Sequence, residues 1–129
     1  SGLLNPYPPE NRKLMERIKT KGGAIISELP LTAPPLQHHF PLRNRIISGM
    51  ARGVCVVEAS SSSGSLITAR AAIDEGREVY AVPGLIHSLT SQGALELIQQ
   101  GAKLVRSSED IAQDFYTDIR SLLKQNPTD

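Results

Sequence analysis

The stretch that decides the fold is a run of four apolar residues, Val54-Cys55-Val56-Val57, which precedes four consecutive serines. A continuous apolar run without alternating polar residues is typical of a central parallel strand that is covered on both faces. The helical pattern that follows, over residues 64–75, places Leu66, Ala69 and Ile73 on one face. A buried strand, a short polar turn and an amphipathic helix together predict one βα unit of a parallel sheet.

The same two signals alternate along the rest of the chain. The predicted helices cover residues 10–21, 41–52, 64–75, 93–100 and 108–123, and the predicted strands are Ala24–Ile26, Val54–Val57, Glu78–Val82 and Lys103–Val105. This order predicts an α/β layer fold with about four strands in a parallel sheet. Ligands of such sheets bind at the carboxyl ends of the strands, which fall near residues 27–28, 58–59, 83–84 and 106–107.

Bulk composition restricts the function. The formal net charge of the 129 residues is +1, so any basic surface must be local, and three tyrosines with two phenylalanines argue against a surface that stacks many bases. The one cysteine, Cys55, excludes an internal disulfide and is predicted to be a core residue. We expect no metal site, since no histidines have zinc spacing. We also expect no membrane association and a cytoplasmic location, because neither a spanning segment nor a signal peptide is present.

The first candidate binding segment is Phe40-Pro41-Leu42-Arg43-Asn44-Arg45. Pro41 suits the first position of a helix, where its missing N–H group is not needed. Two arginines in the positively polarised first turn of a helix then require a compensating anion. A phosphate that accepts from backbone N–H groups and from both guanidinium groups would supply it.

Helical phase separates the two arginines of this segment. The predicted apolar face of the helix consists of Leu42, Ile46, Ile47 and Met50. Because Arg43 falls within this face in projection, we expect it to point inward, with Arg45 beside it. The alternative is a structural role, in which Arg43 pairs with a buried carboxylate such as Glu28 or Glu58 and Asn44 only fixes the loop.

The second candidate segment is the turn over residues 58–65, which joins the decisive strand to its helix. Its small and hydroxyl residues would let the backbone N–H groups of Ser63, Gly64 and Ser65 approach a phosphate. The turn has neither the Gly-Lys-Ser/Thr ending of a Walker motif nor the Gly-x-Ser-x-Gly pattern of a nucleophile elbow. An ordinary capped turn is the alternative, in which Glu58 orients an arginine or the loop.

Several motifs resemble one known family. They are Tyr7-Pro8-Pro9-Glu10-Asn11, Phe40-Pro41-Leu42-Arg43-Asn44-Arg45, Val57-Glu58-Ala59, Ser63-Gly64-Ser65-Leu66-Ile67-Thr68-Ala69, Ala81-Val82-Pro83-Gly84 and Gly93-Ala94. In this order they resemble the DNA-processing protein A (DprA/Smf) family, over roughly residues 1–111. The resemblance implies a Rossmann-like, doubly wound, mainly parallel sheet. It implies a protein that binds single-stranded DNA, with no enzymatic activity, no catalytic residue and no cofactor.

The resemblance also implies a biological role and a set of contacts. Family members act in natural transformation and DNA recombination, protect incoming strands, load the RecA recombinase and form homodimers. The expected contacts with DNA are Arg43, Asn44, Arg45, Ser63, Gly64 and Ser65, supported by Phe40, Pro41, Glu58 and Thr68.

The resemblance also predicts how much of the family's domain this sequence contains. Family domains begin with strands and a Gly-Ser-Arg segment, so we expect residues 1–125 to be a partial domain without its N-terminal half, followed by a tail over residues 126–129.

The runner-up function is a nucleoside-monophosphate phosphoribohydrolase of the lysine-decarboxylase-like type. Such enzymes carry Pro-Gly-Gly-x-Gly-Thr where this chain has Ser63-Gly64-Ser65-Leu66-Ile67-Thr68. A module that only oligomerises or binds a partner is the third possibility.

Overall fold

The structure, a computed structural model of the chain, describes residues 1–116. The helices are α1 (Arg12–Thr20), α2 (His39–Met50), α3 (Gly64–Asp74), α4 (Gln92–Gln99) and α5 (Ser108–Ala112), and the strands are β1 (Gly53–Val56), β2 (Glu78–Ala81) and β3 (Lys103–Leu104). Contacts divide the chain into two compact units, Ser1–Ile46 and Ile47–Asp129. The predicted α/β class is confirmed. The far end of the last predicted helix, the boundary at residue 125 and the tail over residues 126–129 lie outside the described residues.

The sheet of the second unit has the order β1-β2-β3, and both pairings are parallel. Its central strand, β2, is buried on both faces, with Val79, Tyr80 and Ala81 exposed by 8, 1 and 0 %. Val79 and Ala81 belong to the hydrophobic core, whose other buried members are Val56, Ala59, Leu66, Ala69, Ala72, Ala94 and Leu97. Because side chains alternate along a strand, Tyr80 points to the other face, where its ring meets Phe115 edge to face at 6.3 Å. The sheet is therefore covered on both faces at β2, as in a doubly wound fold.

Glycines end the two helices that connect the strands. After α3, Gly76 has a φ of 65°, and the amide of Arg77 donates to the carbonyl of Ala72 at 2.8 Å. After α4, Gly101 has a φ of 105°, and the amide of Ala102 donates to the carbonyl of Leu97 at 2.9 Å. Only glycine adopts this left-handed backbone without a steric cost, so both helices stop one turn before a strand begins.

The strand predicted at Ala24–Ile26 is wrong. Within residues 1–116 this segment joins no ladder, and the side chain of Ile26 is 60 % exposed. An apolar sequence becomes a strand only where a neighbouring strand accepts its backbone hydrogen bonds. The described part of the sheet therefore has three strands where the sequence predicts about four.

The prediction that the run around Cys55 is covered on both faces is also wrong. In the described region β1 pairs only with β2, so it lies at an edge of the sheet. Val56 points into the core, whereas Cys55 and Val57 point the other way and are exposed. Cys55 is therefore not a core residue. Partial desolvation still raises the pKa of its thiol, which lowers the fraction of reactive thiolate.

One residue of the predicted apolar face of α3 is misplaced. Leu66 and Ala69 are buried as predicted, but Ile73 is 52 % exposed, and Ala72 is fully buried in its stead. Alanines at the two positions nearest the sheet let the helix approach β1 and β2 closely, which leaves no room there for a larger side chain.

A polar network fixes the segment after β3 to the sheet. The buried Tyr80 hydroxyl donates to Asp114 at 2.9 Å, and the Lys103 ammonium donates to the same carboxylate at 2.6 Å. Desolvation and the Asp114 carboxylate raise the pKa of Tyr80 to about 12. One turn earlier, Asp110 accepts from both the backbone amide and the guanidinium of Arg106. These bonds hold α5 and the following turn against the strand that they cover.

We predict that Gly93→Ala destabilises the protein more than Gly64→Ala. The amide of Gly93 donates to the carbonyl of Ala59 at 2.8 Å, and a Cβ atom at Gly93 would lie only 2.7 Å from the carbonyl oxygen of Ser60. Such overpacking against backbone costs about 1–3 kcal/mol. A Cβ atom at Gly64 meets nothing within 4 Å. Urea unfolding followed by circular dichroism measures both, and equal midpoints for the two variants would contradict the prediction.

We also predict that Asp110 makes the protein sensitive to acid. The hydrogen bonds from Arg106 lower the pKa of Asp110 from 3.8 to about 2. A carboxyl group with a lowered pKa in the folded state stabilises that state above its unfolded pKa, and the stabilisation is lost as the pH falls through the folded pKa. Between pH 3.8 and about 2, the urea midpoint of the wild type should therefore fall more steeply than that of Asp110→Asn. Asp74→Asn, on the exposed end of α3, should keep the wild-type profile.

Candidate nucleic-acid interface

The first turn of α2 differs from the predicted anion site. The helix begins at His39, so Pro41 is its third residue and not its first, and it ends at Met50. The amides of His39 and Phe40 already donate to the carbonyls of Leu36 and Gln37, at 3.0 and 3.2 Å. Since Pro41 has no N–H group, this turn offers an anion no free backbone donor from these three positions. An anion at this helix start would therefore depend on the guanidinium groups, and not on backbone N–H groups as predicted.

The buried face of α2 is polar. Asn44 and Ser48, one turn apart, are exposed by 8 and 0 %, whereas Leu42 and Met50 of the predicted apolar face are exposed by 59 and 72 %. The inward orientation predicted for Arg43 is wrong for the same reason, because its side chain lies on the exposed side. Hydropathy therefore does not predict which face of this helix is buried.

Arg43 is held in place by its neighbours on the helix. Its guanidinium lies over the ring of Phe40, 5.7 Å from the ring centre, and donates to Oδ1 of Asn44 at 3.1 Å. Within the described part of the chain, no carboxylate lies within ion-pair distance of Arg43. A guanidinium has five N–H donors, so most of them stay available to an external anion.

The sequence left open a structural role in which Arg43 pairs with a carboxylate such as Glu28. In the structure it is Arg45 that pairs with Glu28. Its guanidinium forms an ion pair with Glu28, with the two side chains 58 and 49 % exposed. An exposed pair of this kind contributes about 0–1 kcal/mol, because water already solvates both charges. The pair can therefore be exchanged for another anion at low cost.

The second predicted segment caps α3. The Ser63 side chain accepts from the amide of Ser65 at 3.4 Å, and the hydroxyls of the two serines are 2.7 Å apart. Gly64, the first residue of the helix, has open space where a side chain would be. The alternative of a capped turn is thus observed, and the open position at Gly64 also leaves the backbone accessible to a ligand.

Parallel pairing brings a second loop to the same edge of the sheet. The amide of Val82 donates to the carbonyl of Val56, and that of Gly93 to the carbonyl of Ala59. Ser61 donates to Glu96 of α4 at 2.8 Å, which places a carboxylate beside the serine turn. Sequence reasoning missed Glu96, because nothing in its local pattern distinguishes it from a solvated helix residue. Glu58 is exposed, and Thr68, one turn into α3, is half-buried.

The predicted contacts thus form two groups. In the first unit α2 carries Phe40, Pro41, Arg43, Asn44 and Arg45, and in the second unit the β1–α3 junction carries Glu58, Ser63, Gly64, Ser65 and Thr68. The structure also adds Tyr7 to the first group, since its ring contacts Phe40. Among residues 1–116, no cluster of three or more histidine, cysteine or acidic residues could hold a metal ion. No helix in the same range is both long and apolar enough to cross a bilayer.

Known proteins identify the family. A family model described as "DNA recombination-mediator protein A" matches residues 1–116. Protein Smf of Escherichia coli is 49 % identical over 114 residues, which cover 88 % of this chain and 30 % of that protein. DNA processing protein DprA of Bacillus subtilis is 47 % identical over 113 residues, covering 88 % of this chain and 38 % of that protein. The crystal structure of DNA processing protein A from Streptococcus pneumoniae matches with a TM-score of 0.78 at 47 % identity, over 88 % of this chain and 40 % of that one.

The chain therefore belongs to the DNA recombination-mediator protein A family. Its Rossmann-like α/β fold agrees with the matched crystal structure. The chain spans about a third of the length of the relatives that it matches. The names of these relatives describe DNA processing, and none describes the phosphoribohydrolase alternative.

Proposed function

We propose that this chain forms part of a single-stranded DNA binding site, in which the phosphates of the strand meet Arg43. The observation that carries the proposal is the state of that side chain. Arg43 is exposed, is held by Phe40 and Asn44, and has no carboxylate partner within the described residues. A cation held in one orientation loses little entropy when it binds a phosphate, and its planar donors match the phosphate oxygens.

The serine turn supplies a second place for a phosphate in the same proposal. The amide of Gly64 lies at the start of an eleven-residue helix, where the partial positive charge of the helix favours an anion. The hydroxyls of Ser63 and Ser65 lie beside it. Glu96, which accepts from Ser61, would repel a phosphate at the far side of the turn and so limits the contact to residues 63–65.

The wider role of the whole protein belongs to the proposal as well. We infer a cytoplasmic homodimer that acts without enzymatic activity, protects incoming single strands during natural transformation and assists RecA loading. The family description, a recombination mediator, supports a role in which DNA is bound and handed on. With few arginine contacts, the affinity for DNA should fall with salt at a shallow slope.

Arg43→Ala tests the proposal directly. Loss of one charge-assisted contact should weaken binding of a labelled single-stranded oligonucleotide by about tenfold to a hundredfold, and should reduce the salt slope by about 0.7. Fluorescence anisotropy on the full-length protein measures both quantities. Arg70→Ala, an exposed arginine on α3, is the matched control and should bind like the wild type. Duplex DNA and AMP serve as competitors.

Three results would contradict the proposal. If Arg43→Ala binds normally, the oligomerisation or partner-binding alternative gains support. If AMP competes as well as the single strand, the nucleotide-binding enzyme gains support. If duplex and single strand bind equally, the proposed preference for single strands fails.

Glu28→Gln should strengthen binding. The substitution removes the charge of Glu28, which pairs with Arg45, so that a phosphate no longer has to displace the Glu28 carboxylate. We expect severalfold tighter binding and a salt slope that is steeper by about 0.7, as one more cation meets the strand. Glu16→Gln is the control, because it breaks an exposed ion pair with Lys19 and changes the net charge equally. Equal gains for both variants would mean that only net charge matters and that Arg45 is not a contact.

A further inference from the structure

The positive charge of this chain is concentrated in one helix. Residues 12–21, which are α1 and the residue after it, contain five of the 14 basic residues and one of the 13 acidic residues. Their formal net charge is therefore +4. The other 119 residues contain nine basic and twelve acidic residues, so their net charge is −3. With a total of only +1, the chain thus has its strongest basic segment at α1.

Three of these cations form a stripe along one side of the helix. Lys13, Arg17 and Lys21 follow one another at intervals of four residues, which places successive side chains on one face and about 6 Å apart along the axis. All three residues are exposed. Within the described part of the chain, none of them has a carboxylate at ion-pair distance. The stripe is therefore a row of uncompensated charge about 12 Å long.

Helix stability does not account for this stripe. Like charges four residues apart on a helix repel each other, so the stripe contains two unfavourable pairs. The helix dipole favours cations at the carboxyl end, which suits Arg17 and Lys21, but it disfavours Lys13 in the first turn, where no acidic residue is present. Lys19, on another side of α1, shows the usual arrangement, since it forms an ion pair with Glu16 at 2.8 Å. A bound polyanion would remove the repulsion within the stripe.

The start of α1 lies near the proposed phosphate contact. The ring of Tyr7, which precedes α1 by five residues, contacts the ring of Phe40, and the Arg43 guanidinium lies over that ring. All of these residues belong to the first unit. A strand whose phosphate is bound by Arg43 therefore starts close to the amino end of the stripe.

The apolar side of α1 argues against a membrane surface as the polyanion. Of its three large apolar residues, Met15 and Ile18 are half-buried. Ile18 packs against the chain that follows, since a Cβ atom at Gly23 would lie 2.7 Å from its side chain. A helix that lies in a membrane interface needs its apolar face free to enter the lipid. A phosphate backbone needs only the charged face, and that face is exposed.

We propose that Lys13, Arg17 and Lys21 form a track for the phosphate backbone of single-stranded DNA, which extends the bound strand beyond Arg43. The inference rests on the proposed function and adds to it a second surface, which contacts no bases. The spacing of the three cations is comparable with that of consecutive phosphates along an extended strand. Long strands should therefore show a steeper salt slope than the few arginine contacts of α2 alone would give.

Two oligothymidylates separate the track from the contact at Arg43. One has about four nucleotides and the other about sixteen, the two ends of the usual range of site sizes. In the full-length protein, the triple variant Lys13→Gln/Arg17→Gln/Lys21→Gln should bind the long strand about tenfold to a hundredfold more weakly at low salt, with a salt slope flatter by about 2. The short strand should bind as it does to the wild type. The comparison of Glu28→Gln with Glu16→Gln is made on the short strand, which does not reach the track.

Single variants of α1 provide the controls. Arg17→Gln should flatten the salt slope of the long strand by about 0.7. Lys19→Gln removes the same charge from another side of the helix and should leave that slope unchanged. Arg17→Lys keeps the charge and should keep the slope. The urea midpoint of Arg17→Gln should not fall below that of the wild type, because the substitution relieves repulsion between like charges.

The outcomes distinguish the track from the proposed function. If the triple variant weakens both strands equally or neither, or if Lys19→Gln acts like Arg17→Gln, the track is overturned. It is also overturned if the triple variant binds DNA normally but loses binding to vesicles of phosphatidylserine and phosphatidylcholine. The proposed function still stands in those cases, provided that Arg43→Ala weakens binding of the short strand. If Arg43→Ala has no effect on the short strand, the proposed function itself fails.

Discussion

The parallel pairing of β1 with β2 is the constraint on which the second unit depends. It places the carboxyl ends of both strands at one edge of the sheet, so that the serine turn after β1 and the loop after β2 become neighbours. The amide of Gly93 then reaches the carbonyl of Ala59, and α4 starts beside the start of α3. If the strands were antiparallel, the serine turn and the loop after β2 would lie at opposite edges of the sheet, and the starts of α3 and α4 would not be neighbours.

In the first unit, contacts between side chains hold the candidate binding residues in place on an exposed surface. Phe40 supports Arg43 from one side and contacts Tyr7 on another, while Asn44 is buried and accepts from Arg43. These contacts hold a cation without neutralising it, which a carboxylate partner would do. Arg45 shows the contrast, since Glu28 both holds it and neutralises it.

Local chemistry made the helices and most of the strands predictable. Glycines at residues 76 and 101 end α3 and α4 because the left-handed backbone is nearly free only for glycine, and that preference is visible in the sequence. The strands Val54–Val57, Glu78–Val82 and Lys103–Val105 were each found to within one residue at either end. The sequence did not correctly predict which faces of the helices and of β1 are buried, or which segments have a neighbouring strand. Ala24–Ile26 has the composition of a strand, but composition does not reveal whether a neighbouring strand exists.

The details of the candidate site were predictable only in part. The arginines and serines could be chosen from their residue types, but their surroundings depend on contacts between distant positions. Helical phase placed Arg43 inside because it ranked residues by hydropathy, whereas α2 buries Asn44 and Ser48. The ion pair of Arg45 with Glu28 and the ring contact of Tyr7 join segments that no local pattern connects. The assignment of DNA contacts to the two candidate segments therefore remains a prediction, which the binding experiments test.

The Glu28 carboxylate also competes with any external anion for Arg45. Because it is tethered to the same chain, it stays beside Arg45 whatever the dilution of the protein. A small monovalent anion has to displace this tethered carboxylate through a single contact of its own. A polymer of phosphates bound at Arg43, as proposed, would bring a tethered phosphate of its own to this competition. Under the proposed function, Glu28 would thereby make Arg45 select polyanions over the small anions of the surrounding solution.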